Sequence, residues 1–412
     1  MTLKTRLRYL GQRILFFLAI LGPGLITASA DNDASGIATY SMAGSVYGYG
    51  FLWVLVWITL GEVVVQEMAA RMGAVTGKGL TDLIRERYGV RPTFFVVIGL
   101  LLANFGTATA QFAGIAAASE LLGVSRYIVV PLAAVGLWFL VLRGSYHRVE
   151  KVLLALCLYA VGYIISAFIA RPPWKEVLYH AVVPDFRLER HYILALMATV
   201  GTTITPWGCA YLQASVADKG VRMEEYRYTR LDVMFGAATG NVVSAFVIIC
   251  TAATLYVAGI HVETAEQAAM ALAPLAGQGA KYLFSFGLLG ASLLAASVLP
   301  LASTYATCEA FGWERGIDRT AAEAPMFYRL YTGQIVLGTL IVLIPGIPLF
   351  PLMWLSQVAN AALLPVVLYL MLRLANDIEL MKQWRNGRFT NIFATILAIL
   401  VSIATLSLFV GS

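Results

Sequence analysis

The sequence predicts an all-α polytopic membrane protein, and three observations carry that reading. Hydrophobic residues make up 59% of the chain and charged residues only 13%, whereas charged residues alone are about 25% of a soluble domain. The mean hydropathy is +0.77. The apolar residues gather in runs of roughly 20, the length a helix needs to cross a bilayer core, separated by clusters of charged and turn-forming residues.

Cutting the chain at those clusters gives eleven helices, at roughly 14–46, 51–72, 93–122, 127–142, 152–170, 192–217, 232–258, 282–312, 328–345, 350–374 and 391–410. The first comes after Lys4, Arg6, Arg8 and Arg13, and with Ala28-Ser29-Ala30 it imitates a cleavable secretory signal. Gly22-Pro23-Gly24 breaks that apolar core, and the rest of the chain has the composition of a membrane protein rather than a secreted domain, so the segment is read as a retained span. Inside it stands Asp31-Asn32-Asp33-Ala34-Ser35-Gly36. An unpartnered ionised group at mid-membrane costs at least about 2.5 kcal/mol, which makes this insert a functional candidate. Capping of broken helix ends, or facing a water-filled entrance, is the plainer reading of Asp31 and Asn32.

In the second helix, Glu67 precedes Arg71 at the spacing of a helical ion pair, while Glu62 has no such explanation. The third helix has no titratable side chain between Gly106 and Gly114 and none until Glu120. The sixth span is interrupted like the first, here by Thr202, Thr203, Thr205, Pro206 and two glycines within 198–208. The polar linkers near 171–191 and 218–231 are too short to bury a core, so the chain reads as one transmembrane domain.

All 29 Lys and Arg residues except Arg126, Arg171, Lys175, Arg187, Arg190 and Lys281 fall on one side of this arrangement. That bias places the N-terminus in the cytoplasm and, after eleven crossings, the C-terminus outside a cell membrane. The net charge of +6 therefore reports orientation rather than a nucleic-acid partner. Cys157, Cys209, Cys250 and Cys308 lie in or beside apolar spans with no close pairing, which reads as buried free thiols.

Spans one and six are five helices apart. In transporters built from two inverted five-helix repeats, the first helix of each repeat is unwound at mid-membrane, and helix ends and freed carbonyls hold the ion or substrate. The repeats here would cover about 14–170 and 192–374, with an extra helix at about 391–410.

Gly22-Pro23-Gly24 leading to Asp33, then Tyr47-Gly48-Tyr49 and the run from Gln66 to Leu80, resemble the Nramp family of divalent metal transporters. The resemblance continues through Arg148-Val149-Glu150-Lys151 and Tyr211-Leu212-Gln213. It implies a LeuT-type fold with helices 1 and 6 unwound, and a metal site at Asp33. Three departures stand out. The family's Asp-Pro-Gly-Asn is Asp33-Ala34-Ser35-Gly36 here, its Met-Pro-His is Thr205-Pro206-Trp207, and its late glutamine falls at Leu363, with Asn360 a turn earlier as a possible substitute.

The thioether and imidazole are thus replaced by oxygen donors and a tryptophan. Asp33, with Thr202, Thr205, Asp31, Asn32 and Asn360 as further candidates and Gly36 widening the site, forms a hard-ligand set suited to Mg²⁺ and Mn²⁺. The added room fits a partly hydrated Mg²⁺. These changes are similar to those of the Nramp-related magnesium transporters. Proton-coupled Nramps carry an acidic pair on the third helix, where this chain has Ala108 and Gln111. The expected function is uptake of Mg²⁺ and Mn²⁺ by alternating access, driven by the membrane potential. The alternatives are a proton-coupled Mn²⁺/Fe²⁺ transporter, with Glu62 as its relay, or a cation-coupled amino-acid carrier. No phosphate loop, His-Glu-x-x-His or Gly-x-Ser-x-Gly motif supports an enzyme. No cofactor or obligate protein partner is expected beyond the metal ion and the lipid bilayer.

Overall fold

In the computed structural model, which describes residues 32–143, 160–273, 277–317 and 319–410, the chain is helical almost throughout, and the described residues contain no strand. A lipid-exposed segment must satisfy its own peptide groups, which a helix does and an open loop does not. Helix α1 (Ala34–Tyr47) passes through the turn Gly48–Phe51 into α2 (Leu52–Thr76). Gly48 takes φ +60° there, a conformation that a side chain would strain. The short α3 (Leu80–Tyr88), the long α4 (Val90–Leu121) and α5 (Arg126–Arg143) come after it. Next are α6 (Ala160–Ile169), the short α7 (Trp174–Val182), and the pair α8 (Arg190–Thr203) and α9 (Pro206–Asp218). Helix α10 (Tyr226–Thr251) runs on through a π-helical turn, Ala252–Tyr256. The last elements are α11 (Ala265–Met270), α12 (Ala280–Phe311), α13 (Pro325–Val342), α14 (Leu349–Ala375), α15 (Ile378–Met381) and α16 (Arg388–Val410).

Seven stretches of the described residues are long and apolar enough to cross a membrane, and α5 is a shorter apolar helix. The expected spans from the second to the eleventh each find a helix, the fifth being described only from Ala160. The first half of span one, Asp31, His147, Cys157 and the run 148–151 lie outside the described residues. The other three cysteines are free and buried.

Four short helices, α3, α7, α11 and α15, lie beyond the expected spans. In α3, Leu80, Leu83 and Ile84 are buried while Glu86 and Arg87 are exposed. One apolar stripe in a charge-rich segment is enough to fold it against the bundle.

Helix α4 packs along α12, α14 and α13; α1 lies against α10, α14 and α8; and α2 lies between α9 and α10. Small residues permit these approaches, as expected where lipid offers no hydrophobic drive for helix association. A Cβ on Gly114 would lie 2.4 Å from the Cβ of Ala34, and one on Gly44 would lie 2.0 Å from Thr251 Oγ1. Helix α16 packs on α14 at the periphery and leaves Ile392, Ile396, Ile399 and Ile403 exposed. That apolar face suits lipid.

The end of the bundle that carries most of the described basic residues also carries ion pairs between its elements. Arg315 reaches Asp82 at 3.0 Å and Glu309 at 3.6 Å, and Arg87 reaches Asp377 at 2.8 Å and Glu379 at 2.9 Å. At the opposite end a cavity of about 1010 Å³ opens beside Met42, Val46, Glu120, His261, Glu263 and Trp354.

Candidate functional site

The start of α1 and the break in the sixth span are each built by an N-cap. Asp33 has extended backbone angles, and its Oδ1 accepts a 2.7 Å hydrogen bond from the Gly36 amide, which starts α1. Thr205 does the same for α9: its Oγ1 accepts from the Gly208 amide at 3.2 Å, with Pro206 in the first helical position. Asp and Thr side chains satisfy amides that a helix start leaves orphaned, and proline has none to satisfy. Ile204 leaves the helical region at φ −107° and ψ 83°, so the sixth span is interrupted at Ile204 and Thr205 as the sequence predicts.

Helix α1 is tied to the end of α8, beside the break in the sixth span. Thr203 Oγ1 donates to Thr199 O at 2.8 Å, and Tyr40 OH lies 2.8 Å from Thr203 Oγ1, so Tyr40 donates to that hydroxyl across from α1 to α8. Thr202 is buried in the last turn of α8.

The second oxygen of Asp33 is held from α4. Gln111 Nε2 donates to Asp33 Oδ2 at 2.5 Å, while Gln111 Oε1 accepts from the Ala34 amide at 3.1 Å. The same nitrogen lies 3.2 Å from Ser35 Oγ and 3.1 Å from Thr107 O. Thr107 Oγ1 in turn accepts from Asn360 Nδ2 at 2.9 Å, and Asn360 also donates to Gln357 Oε1 at 3.0 Å. Asn360 is fully buried and its Oδ1 has no hydrogen-bond partner. A buried acceptor left open is an uncommon and costly feature, and it stands one residue pair away from Gln111.

The predicted site residues therefore divide. Asp33, Gly36 and Asn360 share one hydrogen-bonded group with Gln111 and Thr107. Gly36 contributes a backbone donor to Asp33 rather than an oxygen to a ligand. Thr202 and Thr205 flank the second break. Asn32 is engaged elsewhere: it donates to Gly240 O at 2.8 Å and accepts from Ser244 at 2.7 Å, both on α10. In the sequence Gln111 stands out only as a missing acid, and its contact with Asp33 is not legible there. Its spacing from Thr107, one helical turn, is the signal that groups them on one face.

Ala108 and Trp207 fall in one buried apolar cluster with Tyr211, Leu294 and Leu299. These two departures from the family pattern thus belong to one buried cluster. Glu67 pairs with Arg71 at 3.3 Å and accepts from Tyr226 OH at 2.6 Å. Glu62 is buried between α2 and α10, accepting from Gln66 Nε2 at 2.7 Å and from Asn241 Nδ2. Among the described residues no group of three or more His, Cys, Asp and Glu side chains converges. Among the described residues, the site around Asp33 thus offers one carboxylate among neutral oxygens and amides.

A family model described as "Natural resistance-associated macrophage protein-like" matches residues 24–411. The divalent metal cation transporter MntH of Erwinia tasmaniensis is 32% identical over 285 residues, which cover 67% of this chain and 68% of that protein. A crystal structure of the Eremococcus coleocola manganese transporter, in complex with an aromatic bis-isothiourea substituted compound, superposes with a TM-score of 0.79 at 19% identity. It covers 95% of this chain and 86% of that one. A crystal structure of MhsT in complex with L-phenylalanine gives a TM-score of 0.57 at 14% identity, covering 91% and 97%. The fold is therefore LeuT-type.

Proposed function

This chain belongs to the Nramp family, and from that premise we propose that it carries Mg²⁺ and Mn²⁺ into the cell by alternating access, without coupled protons, as an Nramp-related magnesium transporter. It acts as a multi-pass membrane transporter and not as an enzyme. In this reading the inverted repeats cover about 14–170 and 192–374. The basic, ion-paired end faces the cytoplasm, so that the cavity beside Glu120 and His261 faces outward.

The observation that carries the reading is the composition of the site around Asp33. One carboxylate receives neutral donors from Gly36 and Gln111, and the second break supplies threonine hydroxyls. Oxygen ligands without thioether or imidazole suit Mg²⁺ and Mn²⁺ over softer metals. A low protein charge among the described residues of the site suits an ion that keeps several waters.

Absence of coupling is supported by the same contact. A carboxylate at position 111 would face Asp33 so closely that one of the two would hold a proton, whereas the carboxamide makes the contact with no proton to exchange. The driving force is adequate without protons. A divalent ion moving inward gains about 4.6 kcal/mol per 100 mV, twice the single-charge value.

Glu62 favours the second reading, a proton-coupled transporter, because it is a buried carboxylate held by the neutral amides of Gln66 and Asn241. Proteoliposomes with an imposed inside-negative potential and an internal pH dye distinguish the two. Uptake of Mg²⁺ without acidification supports the proposal, and acidification that requires metal overturns it.

A further inference from the structure

We infer that Gln111 is the positioning residue of the ion site: it fixes the direction of the Asp33 carboxylate and thereby sets ion affinity and preference. The inference rests on the metal-transport reading above.

The orientation of the carboxamide is decided by its partners. Flipped, it would set its oxygen against Asp33 Oδ2 and its NH₂ against the Ala34 amide, acceptor on acceptor and donor on donor. In the observed orientation Gln111 satisfies Ala34 N at the open start of α1, and Asp33 Oδ1 satisfies Gly36 N. The N-terminus of α1 is therefore organised before an ion arrives.

The amide group is itself anchored. Its nitrogen lies 3.1 Å from Thr107 O, one turn earlier on α4, and Thr107 Oγ1 is held by the fully buried Asn360. Asp33 is thus linked, through Gln111 and Thr107, to α14 as well as to α4. Asp33 Oδ1 accepts from Gly36 N and Oδ2 from Gln111 Nε2, and the Ser35 amide also reaches the carboxylate; with about four lone-pair sites, the carboxylate keeps room for a cation. A carboxylate that cannot swing presents those lone pairs in one direction. An ion with different bond lengths or a more rigid water shell then meets a different fit.

The test uses Gln111→Met, which keeps the length of the side chain and removes the hydrogen bonds, and Gln111→Asn, which withdraws the amide by one methylene. Asn104→Leu is the control, because Asn104 is an equally buried carboxamide on α4 that donates to Ser303 instead. Uptake of radioactive Mn²⁺ is measured in proteoliposomes, with Mg²⁺ as competitor.

Both Gln111 variants are expected to raise the Mn²⁺ KM tenfold or more at comparable maximal rate and to change the Mg²⁺ competition ratio. The control should leave both within twofold. A Mn²⁺ KM and competition ratio within twofold of the unmodified protein in either folded Gln111 variant overturns the inference and leaves the transport reading standing. Absence of uptake by the unmodified protein overturns the transport reading. In that case Mn²⁺-dependent thermal stabilisation of purified protein decides on Gln111: a stabilisation lost in Gln111→Met supports its positioning role, and none in the unmodified protein overturns both.

Discussion

Gly201 and Gln357 meet backbone to backbone. A Cβ on Gly201 would lie 2.0 Å from the carbonyl oxygen of Gln357 and 2.8 Å from the amide nitrogen of Ala361. Helix α8, which ends at the second break, therefore rides directly on α14, which carries Asn360 toward the site. Neither backbone can yield as a flexible side chain would. Gly201→Ala is expected to destabilise the protein by about 1–3 kcal/mol or more, the usual cost of overpacking. Thermal melting in detergent measures it, and an unchanged melting temperature would contradict the close approach.

Asp33→Ala should abolish metal uptake while the protein still inserts and elutes as a folded species. It removes the one carboxylate that the described residues of the site supply, together with a helix cap, whose loss costs only about 0.5–2 kcal/mol. Normal Mg²⁺ uptake by the correctly inserted variant would move the ion site away from Asp33.

Thr205→Met places a thioether at the second break and should shift preference toward Mn²⁺ or Cd²⁺ over Mg²⁺. It also removes the cap on Gly208 N, so a stability loss of about 1 kcal/mol accompanies the shift. Competition between Mg²⁺ and Cd²⁺ for Mn²⁺ uptake reads the preference. The hard-site argument fails if millimolar Mg²⁺ does not slow Mn²⁺ uptake in the unmodified protein.

Arg315 is the cation beside the buried Glu309, and the hydroxyl of Thr81 lies 2.8 Å from Glu309 Oε2. Arg315→Ala leaves a buried charge without its partner, a change that costs about 3–5 kcal/mol. Adding Glu309→Gln should recover much of the loss. A double variant no more stable than Arg315→Ala would show that the pair is not what holds α3 against α12. Gly79→Ala tests the same junction sterically, since its Cβ would lie 2.0 Å from the Glu309 carboxylate.

Glu62→Gln should retain uptake driven by membrane potential, because the amides of Gln66 and Asn241 hold Glu62 away from the contacts of Asp33. An inward pH gradient at zero potential should drive no accumulation in either protein. Metal-dependent acidification in the unmodified protein that vanishes in Glu62→Gln would identify a proton relay.

The sequence by itself determined where the helices lie, because a span is a local property: a run of apolar residues of bilayer length, ended by charge and turn residues. For the same reason it located the break in the sixth span and the helix start at Asp33. An acidic insert at Asp33 and a Thr-Pro pair at Thr205-Pro206 are visible without knowing what surrounds them, and the pairing of Glu67 with Arg71 can be read from helical spacing alone. What only the tertiary structure decided lies between helices. Gln111 reaches Asp33 from 78 positions away, Asn32 turns to Ser244 from 212 positions away, and Ala108 shares a cluster with Trp207. Hydropathy sets which residues enter the membrane but not which faces meet there. Those meetings depend on close helix approaches at Gly114 and Gly201 and on buried polar groups that must find partners across the bundle.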